Sequence, residues 1–116
     1  MKNSRQKGAR GERLWRDELR ANGYNARRGQ QYSGGNDSPD VFCEEMSDHF
    51  WPEVKFVEKL NVRLAYAQAE RDCDGEQIPY VAHKQSNKDW LVTMSADSFF
   101  ALAEQYLTNK YLNTNK

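Results

Sequence analysis

The chain contains little cysteine and has no long apolar run. Its 116 residues include two cysteines, Cys43 and Cys73, which are too few for a disulfide framework and lack the paired spacing of a zinc site. We therefore expect two buried, reduced thiols. No segment approaches the roughly 20 apolar residues of a membrane helix, and no apolar stretch follows residues 1–5. These absences argue against a disulfide-stapled scaffold and predict a soluble, cytoplasmic protein.

The chain also lacks net charge, because 17 Lys and Arg balance 17 Asp and Glu. The two signs are nevertheless segregated. Residues 1–31 hold nine basic and three acidic side chains, residues 32–54 hold six acidic and no basic ones, and the remainder holds eight of each. A basic arm beside an acidic centre suits a metal enzyme that acts on a polyanion, since one region attracts phosphates and the other captures a cation. The alternative is that these blocks are ordinary solvated surface.

The length and composition indicate one folded domain. Apolar residues make up 38% and charged residues 29% of the chain, which is polar but outside the disordered class. A chain of 116 residues can bury one core and is too short to divide into two. We expect a single domain over residues 1–116, with about 1–6 and 113–116 flexible.

Apolar periodicity predicts an α/β domain. Helical spacing indicates helices over residues 9–22, over residues 61–73 with Asn61 as its cap, and after a cap at Ser95 or Asp97. Short apolar runs predict strands over residues 24–28, 40–43, 50–57, 78–83 and 90–94. We interpret the second and third strands as a hairpin, with regular pairing beginning at Glu53 because Pro52 cannot donate to a ladder. The elements predict a central mixed β-sheet flanked by helices.

The most informative residues lie on the predicted hairpin. Asp40 opens one strand, and Glu53 and Lys55 share a face of the other, since side chains two apart on a strand point the same way. Val54 then packs behind them. Two carboxylates suit Mg²⁺ or Mn²⁺, and a nearby ammonium group could orient the attacking water. This set is typical of a metal-dependent nuclease, although each fragment alone also occurs by chance on solvated strand faces.

Two further polar residues and one loop are candidates for the same centre. Glu12, near the start of the first helix, could reach Asp40 and Glu53, or it could be a favourable charge at the positive helix end. Gln68 on the second helix could face the centre or simply be exposed. The Gly-rich loop over residues 29–38 is either a contact surface for phosphates or a flexible connection.

Other polar and aromatic residues are assigned structural roles. His49 and His83 have no partner at ligand spacing and are expected to be structural or surface residues. The apolar residues of the last helix indicate core packing or a dimer contact; they are Phe99, Leu102, Ala103, Tyr106 and Leu107.

Together these motifs resemble the Holliday-junction resolvases of archaeal type and their phage relatives, in the PD-(D/E)xK nuclease superfamily. The similarity extends from about residue 6 to about residue 103, with the motifs in family order. The residues that carry it are Lys7-Gly8-Ala9-Arg10-Gly11-Glu12-Arg13, Arg27-Arg28, Ser33-Gly34, Pro39-Asp40, Glu53-Val54-Lys55, Gln68 and Trp90-Leu91-Val92.

The resemblance implies a restriction-endonuclease-like fold and a role for each matching residue. Asp40 and Glu53 would bind Mg²⁺ or Mn²⁺ with help from the Val54 carbonyl, and Lys55 would act on the water and the scissile phosphate. Glu12 would add an acidic contact, and Gln68 would support the site. Contacts with the DNA backbone would come from Lys7, Arg10, Arg13, Arg27, Arg28 and Ser33. Family members act as homodimers, and a bacterial or phage-encoded origin is expected.

Three functions therefore stay open. The favoured one is a structure-selective endonuclease that resolves four-way DNA junctions. The second has the same chemistry on flaps, single strands or a defined sequence. The third is a non-catalytic DNA-binding or scaffold domain, which retention of Asp40, Glu53, Lys55 and Glu12 together argues against.

Overall fold

A computed structural model describes residues 4–29, 40–73 and 75–114, with side chains from Gly8 to Leu112. This description excludes the side chain of Lys7 and residues 30–39 of the predicted loop, which include Ser33. The described elements, in chain order, are α1 (Ser4–Ala21), β1 (Ala26–Arg28), β2 (Val41–Cys43), β3 (Phe50–Phe56), α2 (Val62–Asp72), β4 (Ile78–Lys84), β5 (Leu91–Thr93) and α3 (Ala96–Thr114).

The predicted mixed sheet flanked by helices is confirmed. It has the order β3-β4-β5 in the described residues, with β3 parallel to β4 and β4 antiparallel to β5. Helix α2 connects the two parallel strands, as a parallel pair requires. It begins as predicted, because the Asn61 side chain accepts a hydrogen bond from the Leu64 N–H at 3.2 Å.

The two faces of β3 pack against different helices. Val54 belongs to the main core, with Trp15 and Leu19 of α1. The opposite face carries Val81 of β4, which packs against Ala65 and Ala69 of α2. Glu53 is the register partner of Val81 and therefore lies on this second face. The alternation predicted for residues 53–55 is confirmed.

The predicted hairpin is wrong. Strand β2 pairs antiparallel with β1, with Ala26 opposite Cys43, whereas β3 pairs with β4. Residues 44–49 are a series of turns, and β3 is buried through its first half on both faces, which is typical of a strand in a parallel pair. The crossover through α2, not the short connection from β2, therefore determines the partner of β3.

The expectation that regular pairing starts at Glu53 is also wrong. The ladder between β3 and β4 begins at Phe50 and places Pro52 opposite Tyr80. The N–H of Val54 points away from β4, to the side chain of Asp40. The backbone nitrogen of residue 52, two residues earlier, points in the same direction as that of Val54. The N–H that proline lacks would thus face the edge of the sheet, so no ladder bond is lost.

The last helix begins at the serine of the two predicted caps. The Ser95 hydroxyl accepts a hydrogen bond from the Ser98 N–H at 3.0 Å. No helix in the described ranges combines the length and the apolar character needed to cross a membrane.

Candidate active site

Asp40 links the small β1–β2 sheet to the larger one. It lies directly before β2, and its Oδ2 accepts a hydrogen bond from the Val54 N–H at 3.1 Å. This bond replaces strand pairing at the outer edge of β3. The carboxyl group of Asp40 thereby lies close enough to that of Glu53 for its negative charge to add to the effect of burial in raising the pKa of Glu53. The structure brings the two predicted metal ligands together.

Both carboxyl groups resist ionisation. Glu53 is only 4% exposed, and its burial, followed by the negative charge of Asp40, raises its pKa to about 7. Burial also raises the pKa of Asp40, against the opposing effects of the Val54 N–H and the Lys55 charge. Two adjacent buried acids repel each other once both are charged. A positive charge close to the pair would favour its charged form.

Lys55 lies between the carboxyl pair and α2. Its Nζ is 3.3 Å from Glu53 Oε1 and donates a hydrogen bond of 3.3 Å to Gln68 Oε1. Gln68 stands on the same helix as Ala65 and Ala69, whose small side chains are buried and lie in one cluster with Val81. The packing of α2 on the sheet thus fixes the amide that holds the ammonium group. Gln68 is placed as predicted.

Glu12 lies in the interior of α1, which begins at Ser4, so the alternative of a favourable charge at the helix start is wrong. Its Oε1 accepts hydrogen bonds from Arg28 Nη2 at 2.9 Å and from Arg28 Nε at 3.1 Å. Burial raises the pKa of Glu12, Arg28 opposes this, and the negative charge of Asp40 raises it further. The charge of Asp40 therefore influences Glu12. The position of Glu12 depends on the close packing of the preceding residue, Gly11. A Cβ atom on Gly11 would come within 2.9 Å of Phe56 Cβ.

The sequence reasoning missed Asp72 and the partner of Arg28. Asp72 follows Gln68 by one helical turn, its side chain is 15% exposed, and its charge contributes to the raised pKa of Asp40. The four-residue spacing from Gln68 was the available signal for Asp72. Nothing local in the sequence predicts that Arg28 pairs with Glu12.

The arginines that the resemblance assigns to the DNA backbone differ in their contacts within the protein. The guanidinium of Arg10 lies 5.2 Å from the centre of the Phe56 ring, and that of Arg27 lies 4.5 Å from the Phe42 ring. Arg13 is exposed. Arg28 is engaged by Glu12, so its charge is partly neutralised within the protein.

The residues expected to be structural have ordinary surroundings. His83 Nε2 lies 2.8 Å from Thr93 Oγ1, and His49 is exposed. Cys43 and Cys73 are free thiols, but the expectation that both are buried is wrong for Cys73, which is only half-buried.

The donor set fits a hard divalent cation. No group of three or more His, Cys, Asp or Glu side chains has a metal-holding arrangement within residues 4–29, 40–73 and 75–114. Mg²⁺ is usually held by only one or two carboxylates and keeps several waters. Asp40 and Glu53, supplemented by the Val54 carbonyl, meet that requirement, and a cation would offset the burial that raises the pKa of both acids and the Asp40 charge that further raises the pKa of Glu53.

Comparison with protein-family models, with curated proteins and with solved structures found no match for the chain.

Proposed function

We propose that this protein is a metal-dependent, structure-selective DNA endonuclease of the PD-(D/E)xK type that resolves four-way junctions. The observation that carries the proposal is the convergence of Asp40, Glu53 and Lys55 at one edge of β3. The mixed sheet with helices on both faces is compatible with a restriction-endonuclease-like fold. The order of motifs along the chain supports the choice of the junction-resolving family.

The proposed reaction is hydrolysis of a phosphodiester. A water oxygen forms a bond to phosphorus, the bond from phosphorus to the leaving sugar oxygen breaks, and that oxygen takes up a proton. Bound Mg²⁺ or Mn²⁺ would supply an acidified water and neutralise charge on phosphate oxygens. Asp40 and Glu53, in their charged forms, would hold the ion together with the Val54 carbonyl.

The chain's own cation complements this arrangement. Gln68 and Glu53 fix the Lys55 ammonium group, each at 3.3 Å. A fixed positive charge stabilises the negative charge that develops on the phosphate without costly reorganisation. Glu12 would make a further acidic contact, and its pairing with Arg28 ties that contact to the basic arm.

Recognition is proposed to follow the shape of the DNA. Arg10, Arg13 and Arg27 are exposed cations on or beside α1 and β1, and phosphate contacts carry no direct sequence information. Lys7, Arg28 and Ser33 complete the proposed backbone contacts. Paired cuts in opposing strands require two centres, which a homodimer would supply.

A matched substrate panel tests this function. The protein is incubated with Mg²⁺ and junction, flap, duplex and single-stranded DNAs of shared sequence. We expect paired cuts in the junction, loss of cleavage with retained junction binding in Asp40→Asn and Glu53→Gln, and loss of cleavage with retained metal binding in Lys55→Ala. Lys59→Ala, an exposed lysine outside the site, is the control.

Other results would select the other functions. Preferred cleavage of flaps, single strands or one sequence would assign the same chemistry to a different substrate. DNA binding without cleavage of any substrate would indicate a non-catalytic domain. Near-normal cleavage by either carboxylate variant would contradict the assignment of the metal ligands.

A further inference from the structure

Helix α3 exposes a continuous apolar stripe. Phe99, Phe100, Tyr106 and Leu107 are each between 57% and 66% exposed. They recur at helical spacing along the 19-residue helix, and Lys110 follows Tyr106 by one turn on the same side. We call these five residues the α3 stripe. A contiguous exposed apolar surface of this kind marks an interaction site.

Helix α3 packs little against the body of the domain, since residues 104–112 are all exposed. The predicted role of this helix in the core of its own chain is not seen, since most of its apolar side chains remain exposed.

The body carries an apolar groove close to where α3 begins. The groove has a volume of about 420 Å³ and is lined by Trp15 and Leu19 of α1, Met46 before β3, Phe50 of β3, and Trp90. Met94, two residues before α3, lines its rim. Among the described lining residues, the only charged side chain is that of Glu18.

Charge and area both indicate a second copy as the occupant. Lys110 is the one basic residue of α3 in the described range, and it lies on the stripe, while the groove offers the acid Glu18. Four large side chains of this exposure would remove roughly 400 Å² from water, given about 150–250 Å² for a whole aromatic side chain. If the groove loses an equal area and two reciprocal contacts form, the total would be about 1,600 Å², the size of a stable interface.

We propose that the α3 stripe of one protomer packs into the groove of a second copy, reciprocally about a two-fold axis, with Lys110 beside Glu18 of the other chain. Each protomer supplies one helix and one groove, so the contact is closed and stops at the dimer. The inference rests on surfaces away from Asp40 and Glu53 and does not depend on nuclease chemistry.

Charge reversal tests the pairing in the absence of DNA and metal. Light scattering and sedimentation of the full chain at micromolar concentration should give twice the 13.5 kDa monomer mass. Glu18→Lys and Lys110→Glu should each raise the dimer dissociation constant by roughly tenfold, as expected for loss of about 1.4 kcal/mol, and the double variant should recover it. Thr108→Glu, exposed on the other side of α3, should leave the constant unchanged.

Cross-linking identifies which chain supplies the helix. Chains carrying Glu18→Cys and chains carrying Lys110→Cys are mixed and oxidised, in a background with Cys43 and Cys73 replaced by serine. A covalent dimer that forms in the mixture, and in neither chain alone, is the expected result. The proposal would be overturned by a monomer at all concentrations or by a dimer insensitive to both charge reversals. It would also be overturned if a chain carrying both introduced cysteines formed the cross-link only within itself. Circular dichroism confirms that each variant is folded.

Discussion

At the scale of single residues, the buried carboxyl pair makes the stability of the fold depend on pH. Asp40 and Glu53 have raised pKa values in the folded chain, so the folded state holds protons that the unfolded chain has released. Stability is therefore highest below the ordinary pKa of these acids and is lost as the pH rises through the folded value. For Glu53 this window runs from about 4.5 to about 7.

The first prediction concerns this pH dependence. In metal-free protein, the free energy of unfolding should fall between pH 4.5 and pH 7 by an amount on the order of 3 kcal/mol. Glu53→Gln should remove most of that fall and be more stable than wild type at pH 7.5, since a neutral amide needs no compensating charge. Urea denaturation at several pH values measures both effects.

A matched control and a cation complete the test. Glu76→Gln, at an exposed position, should keep the wild-type profile. Added Mg²⁺ or Mn²⁺ should restore the stability of wild type at pH 7.5 and have little effect on Glu53→Gln, because a ligand stabilises only the state that binds it. An unchanged profile in Glu53→Gln would show that the carboxyl pair does not govern the pH dependence.

Sequence reasoning found the centre of the site because its signals are local. Glu53 and Lys55 share a face through simple strand alternation, and both Asp40 and Gln68 matched motifs in a fixed order. Asp72 and the pairing of Arg28 with Glu12 were missed. Those contacts depend on how α2 and α1 pack on the sheet, which no short segment determines.

At the scale of elements, α1 approaches β3 closely only because residue 11 has no side chain. A Cβ atom on Gly11 would lie 2.9 Å from Phe56 Cβ and 3.7 Å from Val54 Cγ1, whereas one on Gly8 would meet nothing within 4 Å. The first of these atoms belongs to the base of a half-buried strand residue and can move little. The close contact also holds Glu12, the next residue, beside the centre.

The second prediction uses these two glycines as a matched pair. Gly11→Ala should destabilise the fold by about 1–3 kcal/mol, as overpacking of a tight contact does, and should lower the cleavage rate by displacing Glu12. Gly8→Ala should stabilise the protein by about 0.5–1 kcal/mol, since alanine favours helix more than glycine does. Thermal denaturation and cleavage assays measure both changes. Equal effects at the two positions would contradict the close packing of α1 on β3.

Strand positions and the starts of α2 and α3 were largely predictable, whereas strand partners were not, and α1 begins at Ser4 rather than at the predicted residue 9. Asn61 marked the start of α2, and apolar runs located all five described strands approximately. The separation of Asp40 from Glu53 suits a hairpin, but it is equally compatible with two strands in different sheets. The choice is made by burial of β3 on both faces and by the α2 crossover, which are long-range properties.

At the scale of the whole molecule, the net charge is zero, but the charges are unevenly distributed and form a basic arm on α1 and β1. The third prediction is that replacing Arg10 and Arg13 by alanine weakens binding to every DNA shape. It should also flatten the dependence of affinity on salt by roughly one unit of logarithmic slope per lost contact, because fewer counterions are released. Titrations at several salt concentrations measure the slope.

Two exposed cations elsewhere provide the comparison. Lys59→Ala with Arg63→Ala removes the same charge at the start of α2 and should change the slope less. A loss of affinity confined to one base sequence would instead indicate direct readout of bases.

The last prediction follows from the number of catalytic centres that one chain can supply. A single set of Asp40, Glu53 and Lys55 can cut one strand, so paired cuts in a junction need two chains acting together. A mixed dimer of wild-type and Glu53→Gln chains should therefore nick a junction without resolving it.

If the dimer forms through the α3 stripe, Lys110→Glu should also convert paired cuts into independent nicks at low protein concentration, while leaving the first nick in excess enzyme unchanged. The measurement is a time course on a supercoiled cruciform, in which nicked and linear products are counted separately. Linear product from the mixed dimer at the wild-type rate, or paired cutting by a strictly monomeric protein, would show that each cut does not require its own chain.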